Sequence, residues 1–276
     1  MKTLIKKIKQ KKELQTIGDA YVLSTIKKIL AQNPKLKKVV EEKRTRSKEY
    51  KEAIKKVREK LRTEYGMFSE NLSAREQILN KKNKNLAKEL LSLHPSTKER
   101  LEMYPHIYKK IFAITGKPKK ILDLGCGMNP ISYPYMKTKA KYYASELNKK
   151  DCEFLNKYFK ITGINGKAFP LDLKKPLLLK KIPAVDVCFL FKVLDTIEKK
   201  GHKLAEEIIK NVKAKWVVAS FATQKLGGRP MQYPYRGWLE RMLERIGYEY
   251  KIIKEINEIF YVIRKEVKLW DATPKK

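Results

Sequence analysis

Ile121-Leu-Asp-Leu-Gly125-Cys-Gly127-Met-Asn-Pro130 is the stretch on which the fold turns. An apolar strand pattern runs into two glycines, which let the backbone bend sharply and approach a ligand closely. Pro130 then suits the first turn of a helix. Such a turn lies at the carboxyl end of a strand, where open α/β sheets bind their ligands. The third glycine of a GxGxxG fingerprint is missing, with Pro130 in its place, which counts against NAD or FAD.

Downstream of Gly116 the rhythm is strand, helix, strand. β-rich runs occupy Lys120–Leu124, Lys141–Glu146, Gly166–Leu171, Val185–Phe191 and Lys215–Phe221, with helical stretches between them. Tyr250–Glu255 and Ile259–Arg264 sit close together and are predicted to pair antiparallel. Alternating β and α segments give a parallel sheet wrapped by helices. The predicted class is therefore α/β: a Rossmann-like, seven-stranded mixed sheet over 116–276.

Upstream, apolar residues recur at helical spacing among dense charge, as in Ile17, Ala20, Tyr21, Ser24, Ile26, Ile29 and Leu30. Asn33-Pro34 ends that helix, and one long charged helix is predicted from Lys35 to Tyr65. Ser73-Ala-Arg-Glu76 and Ser96-Thr-Lys-Glu99 have the spacing of capping boxes, each opening a further helix. Residues 1–60 hold 20 Lys/Arg against 7 Asp/Glu. The 276-residue chain as a whole has 64 Lys+Arg against 30 Asp+Glu, a net charge of +34. An imbalance of that size implies a polyanionic partner, with nucleic acid ahead of an anionic membrane. Residues 1–115 are accordingly expected to form a basic, helical, RNA-binding domain.

Cys126, Cys152 and Cys188 show no CxxC spacing, so neither zinc nor a disulfide framework is indicated, and a reducing cytoplasm fits. The basic N-terminus lacks an apolar core of signal-peptide length, and no apolar run reaches spanning length. A cytoplasmic protein with no membrane partner and no metal is expected.

Two carboxylates narrow the chemistry. Glu146 ends the second strand about twenty residues after the glycines, where an acid can accept ribose hydroxyls. Asp172 follows the third strand. The series of glycine turn, Glu146 and Asp172 on consecutive strand ends resembles the class I S-adenosylmethionine (SAM)-dependent methyltransferases, in which an acid at the third position commonly reaches the adenine amino group. No Asn/Asp-Pro-Pro-Tyr/Phe follows the fourth strand; Phe191-Lys192-Val193-Leu194 stands there instead. Cys188, in the apolar run 187–191, reads as a small hydrophobe and not a nucleophile. The acceptor is therefore expected to be a ring nitrogen or an oxygen.

A narrower resemblance rests on His94-Pro-Ser96-Thr-Lys-Glu99-Arg100-Leu101, Gly125–Pro130, Phe191-Lys192 and Ser220-Phe-Ala-Thr-Gln-Lys-Leu-Gly-Gly-Arg229, followed by Met231-Gln-Tyr233-Pro-Tyr235-Arg-Gly-Trp238. In this order they resemble the aminoglycoside-resistance 16S rRNA methyltransferases, which modify guanine N7 in the decoding-site helix of the small subunit. The similarity covers roughly Leu90 to Arg264. It implies that Arg100 grips the methionine carboxylate of SAM with His94 and Ser96 nearby. It implies also that Gly125, Gly127, Glu146, Asp172, Leu173, Phe191, Lys192 and Val193 line the cofactor pocket. The partner implied is the small ribosomal subunit with its 16S rRNA.

Guanine N7 has an in-plane lone pair, so no acid–base residue is required, and orientation and water exclusion carry the catalysis. A helical base must be flipped out to react. Tyr233, Tyr235 and Trp238 are candidates to stack on it, beside Met231, and Arg229 to hold a phosphate or the guanine O6. Trp238 reads equally well as packing of a helix Tyr235–Ile246 on the sheet. Lys192 has no assigned role beyond proximity to the pocket. Ala222 stands where the family commonly has Pro, and Arg229-Pro-Met231 is shorter than its counterpart, which bears on the modified base. Two other readings stay open: a same-fold enzyme acting on another rRNA or tRNA position, and a non-catalytic ribosome-assembly factor.

Overall fold

A computed structural model describes all residues except 12, 13, 16, 63–71, 82, 199, 200, 225–229 and 266–276. The chain divides into two compact units, Met1–Leu86 with Asn148–Asp151, and Ala87–Leu147 with Cys152–Lys276.

The first unit is built from α1 (Lys2–Ile8), α2 (Asp19–Ala31), α3 (Pro34–Glu41), α4 (Lys48–Leu61) and α5 (Leu72–Lys81). Ile8, Leu14, Ile17, Val22, Ile26, Val57 and Leu61 are buried in it. Arg58 on α4 donates from Nε to the Ile8 carbonyl (3.2 Å) and from Nη2 to that of Lys7 (2.6 Å). A cation there satisfies carbonyls that the end of α1 leaves without helical partners.

Three expectations for this region are corrected. The single helix over 35–65 is two, with Lys43 at φ 54° between them. No apolar residue lies between Val40 and Tyr50 to hold a continuous helix down, and the Ser47 hydroxyl accepts the Tyr50 N–H (3.1 Å), capping a new start. The buried stripe of α2 runs through Val22, Thr25, Ile26, Ile29 and Leu30, while Ala20 and Ser24 face outward. Ser73 lies inside the first turn of α5 and not ahead of it.

The second unit adds α6 (Leu86–Ser92), α7 (Pro95–Arg100) and α8 (Tyr104–Thr115) to the sheet domain. Then follow β1 (Lys120–Leu124), α9 (Tyr133–Met136), β2 (Lys141–Glu146), α10 (Lys149–Thr162), β3 (Gly166–Pro170), β4 (Val185–Phe191), α11 (Leu194–Ile197), α12 (Lys203–Asn211), β5 (Ala214–Ala222), α13 (Gly237–Arg245), β6 (Glu249–Lys254) and β7 (Glu258–Arg264). The sheet order is β3-β2-β1-β4-β5-β7-β6, with the first five strands parallel and β7 antiparallel to both neighbours. This is the α/β architecture read from the sequence.

The unit boundary falls before the change of rhythm at Gly116 because α8 belongs with the sheet. Tyr104, Ile107, Tyr108 and Ile111 are all buried, and the Tyr108 ring lies 6.0 Å from that of Phe189 on β4. Among the described residues no helix is long and apolar enough to cross a membrane, and no group of three or more His, Cys, Asp or Glu could hold a metal ion.

Candidate active site

The sheet order sets the carboxyl tips of β3, β2, β1 and β4 side by side, and the order reverses between β1 and β4. Such a switch point leaves a crevice outside the strand ends. Gly125 (φ 61°) and Gly127 (φ 50°) make the bend after β1, in the left-handed region that favours glycine. At Gly125 a Cβ would lie 2.5 Å from Val193 Cγ2 and 3.5 Å from Leu173 Cδ1. The tips of β1, β3 and β4 thus close on one another at this point. The Glu146 carboxylate accepts the Gly127 N–H at Oε2 (2.9 Å) and the Leu147 N–H at Oε1 (2.8 Å), tying β2 to the bend. Asp172 stands after β3, half-buried, accepting the Lys174 N–H (3.0 Å). Phe191 and Val193 are buried. Between them Lys192 takes φ 55°, a costly conformation for a side-chain-bearing residue. Its N–H donates to the Ser220 carbonyl (3.0 Å) and Oγ (3.1 Å).

Sequence reasoning assigned no role to Asp123, the one acid of β1. Its Oδ2 accepts from Asn129 Nδ2 (2.9 Å) and the Tyr142 hydroxyl (2.7 Å), while its fully buried Oδ1 has no hydrogen-bond partner. Burial pushes its carboxyl up to about 6, against the opposing pull of those two donors. Tyr104 and Tyr108 bond the same Asn129 from α8 (3.1 and 3.4 Å), and burial pushes the Tyr104 hydroxyl up to about 12. An acid inside an apolar strand was the available signal, since a buried carboxylate has to be compensated by a defined partner.

Arg100 is 3% exposed. Its Nε and Nη2 donate to Glu258 Oε2 and Oε1 (2.8 and 2.7 Å), a bidentate pair that uses two of the five N–H groups a guanidinium offers. Glu258, fully buried, also accepts from the Ser220 hydroxyl and lies 3.5 Å from Lys192 Nζ. Lys192 in turn reaches Glu99 (2.8 Å). Burial alone would raise the Glu258 carboxyl, but Arg100, Lys192 and Ser220 hold it below the usual range. Lys192, given no role in the sequence, therefore belongs to a charge cluster with Arg100, Glu99 and Glu258.

The capping box at Ser96–Glu99 is a further correction. His94, buried, is the N-cap of α7 and Pro95 its first residue, so Ser96 sits in the first turn. The residue before a proline is pushed to extended backbone, which makes His94 the natural boundary. Thr97 supplies the local bonds, from its hydroxyl to the carbonyls of Leu91 (2.6 Å) and His94 (3.1 Å).

Of the residues expected at the target base, Arg229 lies outside the described residues. Met231 donates its N–H to the Thr223 carbonyl (2.8 Å). Tyr233 is 77% exposed and Tyr235 42%, with Lys254 Nζ 4.9 Å from the Tyr235 ring centroid. Trp238 stacks on His202 (3.9 Å between centroids, 6° between planes) and meets Phe221 edge-on at 6.0 Å. Arg236, to which the sequence assigned nothing, braces this segment. It donates to Asp195 (3.0 Å) and to the carbonyls of Pro234 (2.8 Å) and Ala222 (3.1 Å).

Comparison with known proteins identifies the family and the fold. A family model described as "Ribosomal RNA methyltransferase (FmrO)" matches residues 35–262. A 16S rRNA (guanine(1405)-N(7))-methyltransferase of Frankia casuarinae is 27% identical over 63% of the chain and 62% of its own length. One from Micromonospora rosea is 29% identical over 63% and 64%. The match thus spans less than two thirds of these relatives. Among solved structures, the 16S rRNA methyltransferase RmtF in complex with S-adenosyl-L-homocysteine superposes with a TM-score of 0.76 at 22% identity, covering 96% of this chain and 97% of that one. The 16S rRNA methylase RmtB gives 0.70 at 20%, covering 96% and 98%. These likenesses establish the fold, and the matched family model establishes kinship: the chain belongs to the FmrO family of ribosomal RNA methyltransferases.

Proposed function

We propose that this protein transfers a methyl group from SAM to N7 of a guanine in the decoding-site helix of 16S rRNA, within the small ribosomal subunit. The observation that carries the reading is the meeting of strand tips at Gly125, Leu173 and Val193, with Glu146 fixed on the Gly127 amide. The names of the relatives point to the same reaction.

The residues present fit the cofactor. SAM supplies a methyl on a positive sulfonium, open to in-line attack by a lone pair. Glu146, beside the glycine bend, offers a carboxylate to ribose hydroxyls, and Asp172 offers one to an exocyclic amine. Asp123, with its buried and unmatched Oδ1, suits an ammonium group, which would also draw its carboxyl back to the charged form. Arg100, oriented by Glu258, offers its remaining N–H groups to a carboxylate. Leu173, Phe191 and Val193 exclude water from the same space. Tyr233 and Tyr235 are the exposed rings on which an extruded base would stack. The basic helical unit formed mainly by residues 1–86 would supply phosphate contacts and steep salt dependence, in the cytoplasm where ribosomes are found.

Incubating purified small subunits with labelled SAM and the protein, then mapping N7-methylguanine by borohydride reduction, aniline cleavage and reverse-transcription stops at the cleaved sites, tests the reading. Label at a single decoding-site guanine is expected. Label elsewhere, or none, would refute it.

A further inference from the structure

The outer face of α8 and α9 carries a groove of about 590 Å³, lined by His106, Lys109, Phe112, Lys117, Tyr135 and Lys137 among others. Its lining runs from Pro105 and His106 at the start of α8 to Lys117 before β1 and Lys137 before β2, and it shares no residue with the candidate active site. Two features set it apart. The first is charge. Residues 103–145 contain eight lysines and a single acid, Asp123, which is fully buried. Lys109, Lys117 and Lys137 on the groove are exposed, as are Lys119, Lys120, Lys139 and Lys141 at its sheet end. The neighbouring acids are Glu102, near Tyr135, Glu255, paired with Lys110 (2.9 Å), and Asp186, already occupied by the Lys119 and Lys120 amides and by Lys215.

The second feature is a ladder of nearly parallel rings. Phe112 stacks on Tyr108 (6.0 Å, 19°), Tyr108 on Tyr104 (5.6 Å, 12°) and Tyr104 on Tyr135 (6.0 Å, 15°). Its inner two rings are buried, whereas its outer two, Phe112 and Tyr135, are half-buried and line the groove. A rigid aromatic floor with lysines along the rim is how proteins hold single-stranded nucleic acid: bases stack on rings and phosphates meet cations.

We propose that this groove is a second docking site for ribosomal RNA, taking unpaired nucleotides, one on Phe112 and one on Tyr135, with flanking phosphates on Lys109, Lys117 and Lys137. The proposal rests on the ribosomal substrate argued above. It places an RNA contact on the catalytic unit itself, distant from the reacting base, so that the subunit is gripped at two separated points.

The test is subunit binding by filter retention across a salt series, read independently of methyl transfer, so that either idea can fail alone. Three lost phosphate contacts in the variant Lys109→Gln/Lys117→Gln/Lys137→Asn should lower the slope of log K against log salt by about 2. An equal charge loss elsewhere on the unit, Lys160→Gln/Lys167→Gln/Lys180→Gln, should leave it unchanged. Tyr135→Leu should weaken binding about 5-fold or more at every salt concentration, as loss of one stacked base would. Thermal melting and SAM affinity matching the parent protein would show that each variant is folded. An unchanged slope in the groove variant, or an equal fall in the control, overturns the proposal.

Discussion

Replacing Glu258 by glutamine probes the centre of the charge cluster. The carboxylate accepts two hydrogen bonds from Arg100 and one from Ser220, and lies 3.5 Å from Lys192 Nζ. Glutamine keeps the shape, removes the charge and turns one acceptor into a donor aimed at the guanidinium. Arg100, 3% exposed, would then be a buried cation without its counter-ion. Glu99 is half solvated and already engaged by Lys192, so it is a poor substitute. Removing one partner of a buried pair costs ~3–5 kcal/mol, or about 10 °C in melting temperature for a protein of this size. Urea denaturation at pH 7 measures it. The pH dependence provides a second check. Glu258 is held below its unfolded-state value, so its stabilisation is complete above about pH 4.3 and is lost as pH falls through the lower folded value. The gap between parent and variant should therefore narrow below that pH. Because the clamp orients Arg100, SAM affinity should fall too. A loss under about 1 kcal/mol at pH 7, or a gap that does not change with pH, would refute the reasoning, since buried pairs of this kind lose far more on truncation.

Asp123 has the opposite sign. Its folded-state value is raised to about 6, so between about pH 4 and 6 the unfolded chain is the readier to ionise and this group's contribution to stability falls as pH rises. Asp123→Asn should flatten that segment of the stability profile without cofactor and weaken SAM binding; unchanged curves in both would count against it. In Gly125→Ala, a methyl 2.5 Å from Val193 Cγ2, at φ 61°, should destabilise the bend by ~1–3 kcal/mol and abolish SAM binding in calorimetry, with Val193→Ala restoring part of both. Tyr233→Ala, at a 77% exposed ring, should shift the melting temperature little yet slow methyl transfer. Trp238→Ala, which empties a contact with His202 and Phe221, should lower the melting temperature by several degrees, and equal behaviour of the two would undo the distinction.

The sheet was legible because its evidence is local. Val185–Phe191 is a nearly continuous apolar run, as a strand covered on both faces must be, and the glycines after β1 need backbone angles that few other residues adopt. Contacts between distant elements left no local trace. Arg100 and Glu258 are separated by 158 residues, and Glu258 stands one residue before the strand start that the apolar pattern marks. The Lys192 cluster was hidden for the same reason. The division of the long charged helix was readable, from the absence of apolar residues over 41–49 and the serine cap, but charge density obscured it.

The insertion of β7 between β5 and β6 has a consequence for how the molecule comes into being. A growing polypeptide acquires the glycine bend and its acids early, yet the glutamate that steadies Arg100 arrives with β7, the last strand among the described residues. Prematurely terminated products would therefore own most of the ligand-facing groups and still lack a braced clamp.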